Sequence, residues 1–378
     1  MGVISAGRES AGYEPVTRER LLDELEAAIA MGRTLPSWWY TDPEILRLEQ
    51  QHVFRHGWLY AGHAGRLAEP GDHVVAHAGN IPVIVVRGKE GELRGFVNLC
   101  RHRLHEMVLP HRPPGPRRTT IQCPYHGWTY NLDGTLRGAP RSDREHGFDK
   151  SQWSLVPVKV DTWGPLVFIN ADLDASPLAE QLGGMPAVAR ERGLDFDAFT
   201  EHGRLDYEFA TNWKVVLDNN FECYHCPVAH PGFSALYDTD PDAYEIQTFE
   251  YSATQLSPHK PDKPDHMNWG DFRFYYLWPT TFIVDHSIVF NVLTIRPLTP
   301  GRSAMTFELY GRSGVEPEAI DEYGRFYDGV FKQDADLIES VQRGHEAQAV
   351  PVGPLFLNSE HLIQLEQRRL SAAFDAGK

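Results

Sequence analysis

The sequence predicts an α+β protein in which a small all-β unit follows two N-terminal helices and precedes a larger mixed region. Three observations carry that reading. Residues 18–31, RERLLDELEAAIAM, place Leu21, Leu22, Leu25, Ala28 and Ile29 on one helical stripe. From about residue 58 the texture changes to short β-rich runs separated by glycine. Later aromatic, strand-like runs give way at 316–348 to a long stretch of helix formers.

The elements follow in order. In TDPEILRLEQQHVF, Thr41 and Glu44 stand at capping-box spacing and Pro43 falls in the first turn, so a second helix starts here. IPVIVVR, GKEGE and LRGFVNLC read as a hairpin, and TWGPLVFIN at 162–170 reads as the closing strand of the β unit. FRFYYLWPTTFIV, SIVFNVLTIRPL and SAMTFELYGR are further strand candidates. Within 316–348, Ile320, Phe326, Phe331, Leu337 and Val341 are the expected packing points, while HRPPGPRR and SPHKPDKPDH read as loops.

At 378 residues, 42% hydrophobic and 23% charged, the chain has globular composition and length for two domains. No apolar run approaches the roughly 20 residues that span a bilayer. The first residues lack a secretory pattern, and Ala6 stands where myristoylation needs Ser or Thr, so a cytoplasmic protein without a membrane partner is expected. The net charge of −16 argues against nucleic-acid binding, which depends on neutralising phosphates. Four cysteines make no disulfide framework; Cys100, Cys123, Cys223 and Cys226 each lie near a histidine, which points to metal.

In the first group, Cys100-x-His102 is followed by Cys123-x2-His126. Zinc accepts two thiolates and two imidazoles, but its modules usually join Cys to Cys and His to His at short spacing. Here each arm carries one of each, which suits a diiron cluster with both thiolates on one iron and both imidazoles on the other. CRHR, CPYHGW and the Asp133-Gly134 turn sharpen the pattern, which resembles the Rieske [2Fe–2S] motif. Two departures stand out: twenty residues separate His102 from Cys123, and RLHEM follows where the family commonly has Arg-Gly. HRPPGPRR absorbs the extra length at small entropic cost. His105 and His111 read as loop histidines, because four ligands already complete the cluster.

The second group lies in DNNFECYHCPVAHP. His225 and His230, five apart, fall about 140° from each other on an ideal helix, so Pro227 is expected to redirect the second. A carboxylate from VFKQDADLIESVQRG, Asp334, would complete a two-His-one-carboxylate iron triad. Cys223 and Cys226 form a C-x-x-C, readable as a redox dithiol or, as expected here, as ordinary buried thiols.

Taken together, these segments resemble the large (α) subunit of the Rieske non-haem iron oxygenases over nearly the full chain. The resemblance selects Asp334 over Asp336. It implies that Glu222 takes the place of a bridging Asp, hydrogen-bonded to an iron-bound histidine and meeting a cluster histidine, here His126, of a neighbouring subunit. Glu at this position, within ECYHC, looks most like the branch acting on carnitine, choline or glycine betaine. The implied fold is a Rieske β domain at 52–172, inserted between N-terminal helices at 1–51 and a catalytic domain at 173–378 built on an antiparallel sheet. The implied cofactors are a [2Fe–2S] cluster and mononuclear Fe(II), with O2 as co-substrate. NAD(P)H would be used indirectly through a ferredoxin or flavin reductase, since no flavin or nicotinamide signature is present. Arg101, Arg103, Arg112, Arg117, Arg118, Arg137 and Arg141 form a basic patch suited to docking that donor. A homotrimer is implied, because a head-to-tail interface must close.

The expected reaction is hydroxylation beside nitrogen with C–N cleavage or demethylation. The alternatives are aromatic hydroxylation or O-demethylation by the same metals, and an electron carrier without oxygenase chemistry. Tyr276, Trp278 and Phe282 are candidates to face a substrate cation, against the plainer reading of core aromatics on a strand.

Overall fold

The computed structural model describes residues 16–109, 119–261, 267 and 269–376. HRPPGPRR, with His111, Arg112, Arg117 and Arg118, and most of the end of SPHKPDKPDH lie outside the described residues.

Helix α1 (Arg18–Met31) is capped by the Thr17 side chain and buries Leu21, Leu25 and Ala28. Helix α2 (Pro43–Glu49) is capped by Asp42, which accepts from the Glu44 amide, not by Thr41 as the capping-box spacing suggested. Asp42 directly precedes Pro43 and so stands one residue nearer the free amides than Thr41.

The β unit is a six-stranded antiparallel sheet with a three-stranded sheet beside it. Its strands are β1 (Leu59–His63), β2 (His73–Ala78), β3 (Ile81–Arg87), β4 (Leu93–Val97), β5 (Thr120–Gln122), β6 (Thr129–Asn131), β7 (Leu136–Gly138), β8 (Pro157–Trp163) and β9 (Leu166–Asn170). The order is β1-β9-β8-β4-β3-β2, with β5-β6-β7 apart. The closing element is thus a β8–β9 hairpin and not a single strand. Gly134 turns β6 into β7 with φ +84°, and a Cβ there would lie 2.4 Å from the Phe96 ring. Only glycine fits both demands.

Two short helices, α3 (Leu178–Leu182) and α4 (Met185–Glu191), lead into the larger mixed region. Strand β10 (Phe199–Phe209) precedes helices α5 (Trp213–Asn220), α6 (Cys226–Ala229) and α7 (Pro231–Leu236). Then follow β11 (Glu245–Thr248), β12 (Ser252–Ser257), β13 (Phe272–Leu277), β14 (Thr281–Asp285), β15 (Val289–Thr299) and β16 (Arg302–Arg312). These strands form one antiparallel sheet in the order β10-β16-β15-β14-β13-β12-β11. Helices α8 (Pro317–Ala347) and α9 (Leu357–Asp375) close the chain.

Helix α1 lies against α9: Arg18 pairs with Asp375 at 2.9 Å, and Gln364 donates to the Ile29 carbonyl. One apolar core runs from Val83 and Val85 of β3 through Trp213 of α5 to Phe307 of β16 and Tyr323 of α8. Of the expected packing points on α8, Ile320 and Phe331 are buried, but Leu337 and Val341 are exposed at 39% and 48%. The helix turns those two away from the sheet.

Candidate metal centres

Cys100 and His102 sit on the loop after β4, and Cys123 and His126 on the loop between β5 and β6. The first loop is pinned by a Leu99–Glu106 bridge and by the Cys100 amide donating to the His105 carbonyl at 2.9 Å. The second is pinned by the Cys123 amide to the Trp128 carbonyl at 2.8 Å. Both cysteines are buried while His102 and His126 are exposed, their rings 4.7 Å apart. Trp128 stacks on His102 at 5.0 Å and fixes its plane.

Burial raises the Cys123 thiol, the backbone amides of Tyr125 and His126 oppose that, and the neighbouring Cys100 adds to it. The Tyr130 hydroxyl lies 3.5 Å from the Cys100 sulfur. His126 is lowered, first by desolvation and then by His102 and Arg103, so it stays a neutral donor. Two adjacent inner thiols and two outer imidazoles, with amide and phenol groups at the sulfurs, fit the donor set of a Rieske cluster. Arg101 spans to the Ser154 carbonyl and Arg103 lies over Tyr125, whereas Arg137 and Arg141 are exposed. His105 is half-buried beside Tyr125 at 5.7 Å.

The second centre is set by α5 to α8. His225 precedes the four-residue helix α6 and His230 ends it, at φ −125° and ψ 64°. Pro227 sits in the first turn of α6, so the redirection comes from the helix stopping at His230 and not from a break at the proline. Asp334 reaches in from the buried face of α8, which it shares with Phe331 and Ile338. His230 Nε2 lies 2.9 Å and His225 Nε2 3.5 Å from Asp334 Oδ1, and one ligand atom from each residue falls within 4.8 Å of the others. Asp336 is exposed and does not approach.

The imidazoles are oriented from behind. His225 Nδ1 donates to Glu222, whose other oxygen accepts from the His225 amide at 3.1 Å. His230 Nδ1 donates to Gln333 Oε1 at 2.7 Å. Both Nε2 atoms therefore face Asp334, where their lone pairs would go to a ferrous ion in place of a proton. In the metal-free protein, burial disfavours the charged form of His225, but Asp334 and Glu222 outweigh it and raise the group to about 9. The same imidazoles hold Asp334 below its ordinary value against the effect of burial.

Asn219 was not anticipated: its amide donates to Asp334 Oδ1 at 3.1 Å and lies 3.5 Å from His225 Nε2. Its signal was available, since Asn219 stands in DNNFECYHCPVAHP, three residues before Glu222. Gln333, adjacent to Asp334, carried no such signal.

Two expectations are corrected. Tyr276, Trp278 and Phe282 are closed in the core at 0%, 4% and 1% exposure. Tyr276 donates to Glu366 and packs on Phe221, Phe282 packs on both, and none lines the cavity beside the triad. Antiparallel pairing sets Tyr276 opposite Phe282, so they fill each other's space. Cys223 and Cys226 are joined as a disulfide across His225, not free buried thiols. Tyr224, between them, is 60% exposed and leans on Phe356 at 5.6 Å.

A cavity of about 790 Å³ opens beside Glu222 and His225, lined also by Asp218, Leu337 and Val341. Asp218, half-buried, is pushed up to about 7 by desolvation, against the pull of Lys214. Phe233, Tyr237, Phe272 and Tyr327 pack together around the buried His286.

Comparison with known proteins matches residues 57–160 to the Rieske [2Fe-2S] domain and 196–375 to the ring hydroxylating alpha subunit (catalytic domain). The carnitine monooxygenase oxygenase subunit of Acinetobacter baumannii is 30% identical over 86% of this chain and 89% of that protein. The chloroplastic choline monooxygenase of Amaranthus tricolor is 30% identical over 89% and 77%. The crystal structure of a quaternary ammonium Rieske monooxygenase with its substrate L-carnitine superposes at TM-score 0.81, with 28% identity, covering 96% of this chain and all of that one.

Proposed function

This chain belongs to the Rieske non-haem iron oxygenases as an α-type oxygenase subunit, and from that premise we propose that it oxidises a quaternary ammonium compound of the carnitine, choline or glycine betaine kind. The observation that carries the proposal is the likeness, over 86% of the chain, to an oxygenase that acts on carnitine. The enzyme uses a [2Fe–2S] cluster, a mononuclear iron and O2, with reducing equivalents drawn indirectly from NAD(P)H. When bound, the cluster relays single electrons and the ferrous iron activates dioxygen for C–H hydroxylation.

The residues do the rest. Cys100, His102, Cys123 and His126 would hold the cluster, and His225, His230 and Asp334 the iron. Glu222 and Gln333 keep the proton of each imidazole on Nδ1, so that both Nε2 atoms stay available. Asn219 steadies the Asp334 carboxylate. Asp218, Glu222 and Glu360 line the approach, and a net charge of −16 draws cations toward it. Hydroxylation of the carbon beside nitrogen gives a carbinol. Its C–N bond then breaks, releasing an aldehyde, a tertiary amine and a proton.

The assembly belongs to the same proposal. Exposed Leu104 and Tyr125 flank His126, and exposed Tyr224, Phe356 and Leu357 flank Glu222. A head-to-tail homotrimer would bury these two patches on each other and bring His126 of the partner subunit to Glu222. A ferredoxin or flavin reductase would dock on the arginine patch. The division at residues 51 and 172 and a cytoplasmic location complete the reading. In support, α1 lies against α9, and among the described residues no helix is long and apolar enough to cross a membrane.

The test is a substrate screen of reconstituted enzyme with a surrogate reductase, following oxygen uptake together with product by mass spectrometry. Carnitine, choline or glycine betaine should give aldehyde and amine in step with oxygen. Product from benzoate-type compounds alone would overturn the quaternary ammonium reading.

A further inference from the structure

Cys223 and Cys226 belong to neither proposed set of metal ligands, yet the structure joins them as a disulfide. The bridge closes over Tyr224 and the proposed iron ligand His225, and Glu222 directly precedes it. These residues lie between the end of α5 at Asn220 and the start of α6 at Cys226, in a turn outside helix and strand. The Glu222 carboxylate gathers that turn, accepting from the Tyr224 and His225 amides and from His225 Nδ1. The disulfide adds a covalent tie, beside the Cys226 amide donating to the Cys223 carbonyl at 3.2 Å. A cross-link over so short a span restrains the chain locally, so its main effect falls on the placement of Glu222 and His225.

The two sulfurs differ in access. Cys226 is buried in the main apolar core, whereas Cys223 is half-buried. Cys223 also lines an open pocket of about 370 Å³ with Tyr224, Pro227, Asp238 and Tyr244, distinct from the cavity that Glu222 and His225 line. An incoming thiolate therefore reaches Cys223, and the protected Cys226 is the leaving group. Cys226 Sγ lies 4.0 Å from His225 Nε2, so the bond that breaks is next to the ligating atom. In the cytoplasm disulfides are uncommon, and those that occur are mostly transient and catalytic or redox-sensing.

We propose that Cys223 and Cys226 form a thiol–disulfide switch on the iron centre: the bridge holds Glu222 and His225 in the ligating arrangement, and reduction by a dithiol releases them. One thiolate of the dithiol attacks Cys223 Sγ, the S–S bond breaks, and Cys226 leaves as a thiolate that takes up a proton. The second thiolate attacks the mixed disulfide at the reductant's own sulfur, which frees Cys223 as a thiol and leaves the reductant oxidised. Two electrons and two protons have then passed from the dithiol to the protein. Exchange in the reverse direction with an oxidised thiol restores the bridge. The consequence for iron rests on the iron-site reading above, whereas the exchange chemistry rests on the two cysteines alone.

The test uses the holoenzyme, as isolated and after treatment with dithiothreitol followed by anaerobic removal of the reagent. Peptide mass spectrometry after alkylation should find Cys223 and Cys226 blocked before treatment and both labelled after it. Transfer of the mononuclear iron to a ferrous chelator should then run roughly tenfold faster with the cluster retained. Hydrogen exchange at the amides of 222–226 should speed up several-fold, and oxidised glutathione should reverse both changes. Cys223→Ser combined with Cys226→Ser should release iron at the faster rate and ignore dithiothreitol. Cys223→Ser alone, which leaves the core sulfur in place, makes the same comparison should the double variant not fold. Cysteines labelled before treatment, iron release unchanged by reduction, or a reductant effect that persists in these variants would each overturn the proposal. Should no form of the protein retain mononuclear iron, the iron-site reading fails by itself; labelling and amide exchange then decide the switch, and unchanged exchange overturns it.

Discussion

Glu222 concentrates the argument at the scale of one residue. It holds the Nδ1 proton of His225 from one side, and its other side opens on a cavity lined by exposed apolar residues. Glu222→Gln should keep the shape but lose the charge. Product formation should fall roughly 10–100-fold, with the cluster spectrum and iron content unchanged, as read by absorbance and metal analysis. His286 makes a different prediction. It is fully buried between Tyr237 and Tyr327 and is lowered to about 3 by desolvation and by Arg273. An unfolded imidazole titrates near 6.5, so between about 6.5 and 3 the unfolded chain binds the extra proton. This group's contribution to stability is therefore present at neutral pH and is lost as the pH falls through that window. His286→Gln should show a smaller drop in thermal midpoint from about pH 7 to about pH 4 than the parent. Opposing carboxylates such as Asp285, raised to about 6 mainly by burial, are common to both proteins and cancel in the difference. Little of this was legible in the sequence, where His286 is one histidine among eighteen.

Among the elements, α5 shows how a short motif becomes a scaffold. Asn212 caps it, and the next two residues reach back to α2: Trp213 Nε1 and Lys214 Nζ bind the two oxygens of Glu49 at 2.7 and 2.6 Å. Lys214 and Glu49 are 3% and 0% exposed, so neither has water to fall back on. Lys214→Ala should cost about 3–5 kcal/mol, because it strands a buried carboxylate, while Lys214→Met with Glu49→Leu should recover most of that loss. Thermal and urea unfolding of the three proteins check it. The elements themselves were largely legible: α1 begins and ends where its apolar stripe does, and β13 to β16 follow the aromatic runs. The cap of α2 and the role of Pro227 were misread. Thr41 and Asp42 compete for the one cap position, and local spacing does not show that the helix Pro227 helps to begin lasts a single turn.

At the scale of the whole molecule, the exposed apolar residues need a partner. Leu337 and Val341 on α8 stand beside Glu222, with Val350, Phe356 and Leu357 close by in sequence. Light scattering should give a mass near three times 42.8 kDa for the assembled enzyme. Leu337→Glu combined with Val341→Glu should shift the protein to monomer and abolish turnover, with both metal centres still loaded. A variant that stays trimeric and active would remove this face from the interface. From the sequence these two residues looked like core, because a helical stripe records periodicity and not what covers it.

The sequence alone supplied the candidate donors of both proposed metal centres. Cys100-x-His102, Cys123-x2-His126 and His225-x4-His230 are short-range arrangements that covalent geometry and a few turns keep intact. It also determined the succession of elements, which is written in local periodicity. The tertiary structure decided which acidic side chain on α8 faces the histidines, since the packing of Phe331 and Ile338 sets the phase that buries Asp334 and exposes Asp336. It decided that Asn219 and Gln333 steady the site, that Tyr276 and Phe282 fill the core, and that Cys223 and Cys226 pair. The division has one physical cause: a ligand's identity is a property of its own residue, whereas burial and orientation belong to neighbours that folding alone brings near.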